Sequence, residues 1–263
     1  MLFSVITVTL NAGAELKKTV HSVLTQDFKD LEIIIKDGGS TDGSILELPV
    51  SDKIKLVRKK DRSIYDGMNE AVKEAQGEYI IFLNAGDRFA SGEVLEKTAQ
   101  FMSEHRADIY YGNLYRREQD STDVYPDKLT DRVCYGNVPC HQACFYKAEL
   151  LKKETPFDLS YKVRADYEHF LRCVYRDGAR TIHMPFTVSD YEGGGFSEDE
   201  INRKRSAYEH RLITKKYLGN KVYRYRLLMI LTLQPLRELL AGSRTFSGLY
   251  HKLKAFIYRI SGR

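Results

Sequence analysis

The chain is predicted to be an α/β protein, a mainly parallel sheet flanked by helices, and three observations carry that expectation. Strand-like and helix-like stretches alternate through four successive units at the start of the chain. The strand-like stretches are rich in β-branched and aliphatic residues, as strands covered on both faces must be. The residues that follow them are small and polar, and that edge is where open α/β sheets hold their ligands.

In order, "FSVITVT" is the first strand, and "AELKKTVHSVLTQ" follows with Leu16, Val20, Val23 and Leu24 at helical spacing. "LEIIIKD" is the second strand, "STDGSILE" a turn into a short helix, and "KIKLVRK" the third strand. "SIYDGMNEAVKEAQG" reads as a helix closed by Gly77, and "EYIIFL" as a fourth, central strand. After another helix, "SGEVLEKTAQFMSEH", shorter strands are expected at "DIYYGNLYR", around "STDVY" and at "HQACFYK". "ADYEHFLRCVYRDG" is a helix with Asp166 placed to cap it, and "ARTIHMPFTVSDY" is a strand leading into the loop "EGGGFSEDE". From about Ser197 the chain turns helical and basic, through "EDEINRKRSAYEHRLITKKYLG", "KVYRYRLLMILTLQPLRELLAG" and "TFSGLYHKLKAFIYRISGR". Pro235 should kink or divide the middle helix. The expected organisation is a body over residues 1–196, with halves 1–105 and 106–196, and a basic helical extension over 197–263.

With 263 residues, 43% hydrophobic and 29% charged, the chain is long enough to bury a core and has the composition of a soluble globular protein. No stretch approaches the roughly 20 apolar residues of a membrane span. The N-terminus runs straight into "LFSVITVT" with no secretion signal, so a cytoplasmic protein is expected. Cys134, Cys140, Cys144 and Cys173 have neither zinc-site spacing nor disulfide-scaffold density and read as free thiols. Charge is uneven: from Ile201 onward 15 Lys and Arg face two acids, a net +13, which leaves −8 for the first 200 residues.

The small polar segments after the strands are Thr9–Asn11, "KDGGSTDGS" with Asp37 and Gly39, and "NAGD" with Asn84 and Asp87. Each alone is good turn chemistry. Their convergence on one sheet edge points to a nucleotide. Neither G-x-G-x-x-G after the first strand nor G-x-x-x-x-G-K-[ST] occurs, so a diphosphate here needs another neutraliser. A divalent cation held by a carboxylate serves, and Asp87 at the end of a buried strand is placed for it.

The strings "SVITVTLN", "DGGSTDGS", "DRSIYDGMNEAVKEAQGEYIIFLNAGD", "HQACFYK" and "ADYE" resemble, in order and spacing, the family 2 glycosyltransferases of GT-A fold, of the bacterial cell-surface polysaccharide type. The resemblance runs from Phe3 to about Phe196 and implies a mixed, mainly parallel sheet and an inverting, metal-dependent hexosyl- or N-acetylhexosaminyltransferase. By that resemblance Asp37 recognises the uracil of a UDP-sugar donor, with Thr9, Asn11, Gly39, Asp61, Asn69 and Asn84 also at the donor. Asp87 is the ligand to Mn²⁺ or Mg²⁺, although Asn84 and Gly86 stand where further carboxylates are common and Leu10 where Tyr is usual. Asp166 falls on the family's general base, with Ala165 in place of the preceding acid; the other reading of Asp166 is an ordinary helix cap. His141 and Gln142 fall near the acceptor or the donor sugar, and a structural role is the alternative for the His. "EGGGFS" is either a loop closing over the donor or a plain linker.

The implied acceptor is a glycan, lipid-linked in surface polysaccharide synthesis. The basic extension, with Tyr223, Tyr225, Tyr250, Phe256 and Tyr258, suits helices lying on an anionic membrane at the inner face of the plasma membrane, or else helices packed on the body. No nucleic-acid module is visible, and a homodimer is compatible with the sequence. Rival functions are a non-catalytic nucleotide-sugar-binding or scaffold protein of the same fold, and a sugar-nucleotide pyrophosphorylase. For the latter, "TLNAGAELKK" is a poor substitute for a glycine-rich phosphate loop.

Overall fold

In the computed structural model, which describes residues 1–193 and 200–231, the β-branched runs form the buried centre of one sheet. The first half contains β1 (Phe3–Thr9), α1 (Ala14–Leu24), β2 (Leu31–Asp37), β3 (Ile54–Arg58), α2 (Ile64–Val72) and β4 (Tyr79–Phe82). There follow β5 (Arg88–Phe89), α3 (Val94–Glu104), β6 (Ile109–Arg116), β7 (Ser121–Asp123), α4 (Asp131–Gly136), β8 (Cys144–Lys147), α5 (Ala148–Lys152), α6 (Ala165–Tyr175) and β9 (Thr181–Tyr191). Two helices of the extension are described, α7 (Glu200–Leu218) and α8 (Lys221–Leu231). Pro235 and the third basic helix lie outside the described residues, as does most of the glycine loop.

The described strands form one sheet in the order β3-β2-β1-β4-β8-β6-β9-β5, with β7 paired to β6. β3, β2, β1 and β4 run parallel, and β8 joins β4 antiparallel, which makes the sheet mixed. Period-two alternation sends Ile6, Ile34 and Phe82 into one core and Val5, Ile33 and Ile81 into the other, so both faces are covered. The outer strand β3 is more exposed and carries Lys55 and Arg58, charges that discourage edge pairing.

"STDGSILE" turns into a short 3₁₀ helix at Ser44–Glu47, as expected. Two local expectations are corrected. "HQACFYK" is not a strand throughout, since His141–Ala143 forms a 3₁₀ turn before β8. Gly77 does not close α2, which ends at Val72; its role is close approach. A Cβ there would stand 2.5 Å from the Ser4 backbone nitrogen, and the Gly77 N–H donates to Ser4 Oγ at 2.8 Å. Gly77→Ala must push β1 from the chain entering β4, and a loss of about 2–3 kcal/mol in stability is expected, read as a lower urea midpoint.

Candidate active site

Parallel pairing brings the carboxyl ends of β1, β2 and β3 together. Thr9 is buried at the end of β1, and its Oγ1 has no partner among the described residues. Asn11, in the left-handed region at φ 51°, accepts from the Thr41 N–H at 2.9 Å and donates its own N–H to Ser40 Oγ at 2.9 Å. The first two loops are thereby tied together.

Asp37 is fully buried, and its Oδ1 accepts from the Ser40 N–H at 2.8 Å and the Ser40 hydroxyl at 2.6 Å. Its Oδ2 accepts from Arg58 Nε at 2.9 Å. Burial alone would raise its pKa, but Ser40, Arg58 and the Gly39 N–H together outweigh burial and hold it below the usual carboxylate range. Gly39, at φ +106°, makes the turn that presents these groups. Arg58 escaped the sequence reading; the signal was the parallel register, which sets Arg58 beside Asp37.

Asp61 and Asn69 lie beneath these loops as braces. Lys36 is fully buried and donates to Asp61 Oδ2 at 2.8 Å and to the Lys59 carbonyl at 2.5 Å. The Asp61 carboxylate packs where Cβ atoms at Gly38 and Gly67 would crowd it. Asn69 pairs with the Phe157 backbone, donating to the carbonyl at 2.8 Å and accepting from the N–H at 2.9 Å, and so holds the segment before α6.

Asp87 is 4% exposed after the tight turn that ends β4, with its N–H donating to the Asn84 carbonyl at 3.0 Å. Its Oδ2 accepts from Gln142 Nε2 at 3.1 Å and its Oδ1 from the Glu192 N–H at 3.2 Å. Burial pushes its pKa up to about 6, despite those two donors. Gln142 is oriented in turn by the Cys140 thiol, which donates to its Oε1 at 2.6 Å. All four cysteines are free.

Asp166, in the first turn of α6, is 27% exposed. Its Oδ2 is 3.0 Å from His141 Nδ1, and its Oδ1 is 3.0 Å from the Tyr65 hydroxyl, which also lies 2.7 Å from the Val163 carbonyl. Facing a carboxylate, Nδ1 carries the imidazole proton, and Nε2 is 3.5 Å from Asn84 Nδ2. Burial raises the Asp166 pKa, but the His141 hydrogen bond and charge, the Tyr167 N–H and the Tyr65 hydroxyl hold it below its ordinary value. The expected cap is not what Asp166 is: Arg164 precedes the first turn of α6 and offers no side-chain cap.

The chain leading into α6 is held by Glu209 of α7, which the sequence reading missed. Its buried carboxylate accepts from the N–H groups of Lys162 at 2.8 Å, Val163 at 3.0 Å and Arg164 at 2.9 Å. Ser206 adds a bond from Arg164 Nε at 2.7 Å, and Lys216 and Tyr217 both donate to the buried Glu168 of α6. α7 thus packs on the helix that carries Asp166. Glu209→Ala should leave three backbone donors without this acceptor, cost about 2–4 kcal/mol of stability and lower turnover; thermal unfolding and steady-state rates check it.

Among the described residues, no group of three or more His, Cys, Asp or Glu could hold a metal by itself. Oxygen donors for a hard cation are present nonetheless: the Asp87 carboxylate, the buried Asn84 Oδ1 without a partner, and the Glu192 carboxylate, which occupies the space a Cβ on Gly86 would need. That set fits Mg²⁺ or Mn²⁺ completed by phosphate and water.

On α8, Tyr225 is buried with its ring 5.7 Å from that of Tyr135, whereas Tyr223 is exposed. Tyr250, Phe256 and Tyr258 lie outside the described residues. No described helix is long and apolar enough to cross a membrane.

Comparison with known proteins agrees with this architecture. The family model described as Glycosyl transferase family 2 matches residues 4–170. A PGL/p-HBAD biosynthesis glycosyltransferase of Mycobacterium tuberculosis is 32% identical over 210 residues, covering 77% of this chain and 82% of that one. A Bacillus subtilis chain named for teichuronic acid biosynthesis is 36% identical over 139 residues, 49% of this chain and 55% of that one. Among solved structures, S. aureus TarS 1-349 in complex with UDP-GlcNAc aligns with TM-score 0.66 at 20% identity, over 83% of this chain and 72% of that one. A mannosyltransferase from Pyrobaculum calidifontis, in complex with GDP-Man and Mn²⁺, aligns with TM-score 0.60 at 18% identity, over 99% and 82%. With the family model spanning most of its sheet and a relative above 30% identity along most of its length, the chain belongs to glycosyl transferase family 2 and has the GT-A fold.

Proposed function

We propose that the chain is an inverting glycosyltransferase that moves a hexosyl or N-acetylhexosaminyl group from a UDP-sugar to a hydroxyl of a lipid-linked glycan in surface polysaccharide synthesis. The observation that carries this reading is Asp166, partly exposed and held ionised between His141 and Tyr65, with His141 next in the chain to the Gln142 that bonds to Asp87. Relatives named for PGL/p-HBAD and teichuronic acid biosynthesis, and a fold neighbour solved with UDP-GlcNAc, support the donor and acceptor classes.

In this reading Asp37, with Arg58, meets the uracil edge, and Thr9, Asn11, Gly39 and Asn84 line the donor. Asp61 and Asn69 support that surface from below. Asp166 takes the proton of the acceptor hydroxyl as its oxygen bonds to the anomeric carbon, and the bond from that carbon to the diphosphate oxygen breaks on the opposite face. His141 keeps Asp166 ionised and oriented, while Gln142 holds Asp87. A bound Mn²⁺ or Mg²⁺ supplies charge neutralisation of the leaving diphosphate, with Asp87 as its protein ligand. Residues 1–105 form the donor half, 106–196 the acceptor half and 197–263 the extension.

Calorimetric titration of UDP, GDP and CDP, with Mn²⁺ and then with EDTA, tests the donor site. UDP binding lost on chelation supports it; binding without transfer to any acceptor would favour a non-catalytic nucleotide-sugar-binding protein. For the extension, exposed Leu227 and Ile230 on α8, among basic residues, support contact with an anionic membrane. Leu227→Glu with Ile230→Glu should reduce flotation of the full chain with phosphatidylglycerol vesicles several-fold; unchanged flotation would remove α8 from that role.

A further inference from the structure

We propose a second anion site, for a phosphate group bearing an apolar substituent, between α1, the segment at Pro49 and β5. A cavity of about 550 Å³ lies between α1, the segment at Pro49 and β5, lined by Lys17, Lys18, His21 and Arg88 with Phe89 and Pro49 as apolar wall. None of its lining residues is among those of the site above. Asp87 and Arg88 are consecutive, yet Asp87 bonds to Gln142 and the Glu192 N–H while Arg88 lines the cavity. The proposal therefore does not rest on the transfer reaction.

The cavity is preformed. Gln26 bolts α1 to the far wall, donating to the Ser91 carbonyl at 2.7 Å and accepting from the Leu95 N–H at 3.1 Å, and the Asp27 N–H donates to the Gly92 carbonyl at 2.9 Å. A ligand entering it incurs little ordering cost.

Its cations are only partly satisfied. Lys17 Nζ is 4.0 Å from Glu47 and Arg88 Nη2 is 3.6 Å from Glu15, both beyond hydrogen-bond distance, while Lys18 is paired closely with Glu15. Arg88 Nε is buried with no hydrogen-bond partner among the described residues. The Arg88 side chain is 33% exposed and its Nη2 is not hydrogen-bonded to Glu15, so its outer N–H groups can give a phosphate oxygen a charge-assisted bond. Because Glu15 and Glu47 already neutralise part of the charge, the ligand must offer several acceptor oxygens and more than a single weak charge. A phosphate monoester does so, and the volume and the Phe89 and Pro49 wall leave room for its apolar part.

The test uses the full chain in EDTA, which withholds the cation from the donor site. Inorganic phosphate is titrated by ³¹P line broadening, and flotation is measured with phosphatidylcholine vesicles with and without phosphatidic acid. Lys17→Gln with Arg88→Gln is compared with wild type, and Lys17→Glu alone serves where the double variant lowers Tm. Phosphatidic acid-dependent flotation that falls tenfold or more in the variant, with UDP affinity in Mn²⁺ unchanged, supports a lipid source of the phosphate. Inorganic phosphate binding that falls alike, with no gain from vesicles, supports the site with a soluble source. Wild type and variants that match with both probes overturn the proposal.

Discussion

Asp166→Asn is expected to lower sugar transfer by roughly 10²–10⁴-fold, the range typical of losing a general base, while the Kd for UDP with Mn²⁺ stays within about twofold. Asn keeps the size of the side chain and can still meet Tyr65, but it cannot accept the acceptor's proton. The wild-type pH profile carries a second signature. Asp166 is held below the ordinary carboxylate range, chiefly because His141 outweighs burial. As a base it works when deprotonated, so kcat at saturating donor and Mn²⁺ should hold through mildly acidic pH and fall only as pH drops through that depressed value. The same shift makes its stability contribution present above the unfolded carboxylate pKa and lost as pH falls through the folded one. His141→Ala should move the acid limb toward higher pH. Transfer at the normal rate by Asp166→Asn would put the base elsewhere.

Asp87→Asn is expected to act in opposite directions on binding and on stability. Asp87 is 4% exposed and its pKa is pushed up to about 6, so above that pH the cation-free protein holds a buried anion with only two neutral donors. A carboxylate with a raised folded pKa makes the protein lose stability as pH rises from the unfolded value through the folded one. Relative to an ordinary carboxylate, a rise to about 6 corresponds to about 2–3 kcal/mol at neutral pH. The variant should therefore have a higher Tm than wild type in EDTA at pH 7.5, and that gain should vanish at pH 4. With Mn²⁺ the order reverses for binding: UDP affinity should fall by about 10–100-fold, the range seen when metal sites are weakened. In wild type that affinity should rise as pH increases through about 6, because the cation displaces a proton. Unchanged Mn²⁺-dependent UDP affinity in the variant would take Asp87 out of the metal site.

The strands of the parallel half were legible in the amino-acid string. The runs "FSVITVT", "LEIIIKD" and "EYIIF" could bury both faces only in a parallel sheet, and β1, β2 and β4 are that sheet. The polar residues that interrupt those runs had to fall at one edge, so Asp37 and Asp87 could be singled out before any contact was known. Chain length and unpaired cysteine spacing likewise needed no tertiary information.

Contacts between distant segments were out of reach. Asp166 bonds to Tyr65, 101 positions earlier, and to His141, 25 earlier, and Glu209 reaches back 45 to the N–H of Arg164. None of these pairs has a periodicity or a spacing to betray it, because hydrogen bonds between side chains depend on how α2, the 3₁₀ turn at His141, α6 and α7 meet. The same holds for Gly77, read as a helix end when its true constraint is the backbone of β1, and for the two hydrogen bonds between Asn69 and Phe157, 88 positions apart. A residue's chemical capacity is written in its side chain; whether that capacity faces a ligand or another part of the chain depends on packing between elements far apart in sequence.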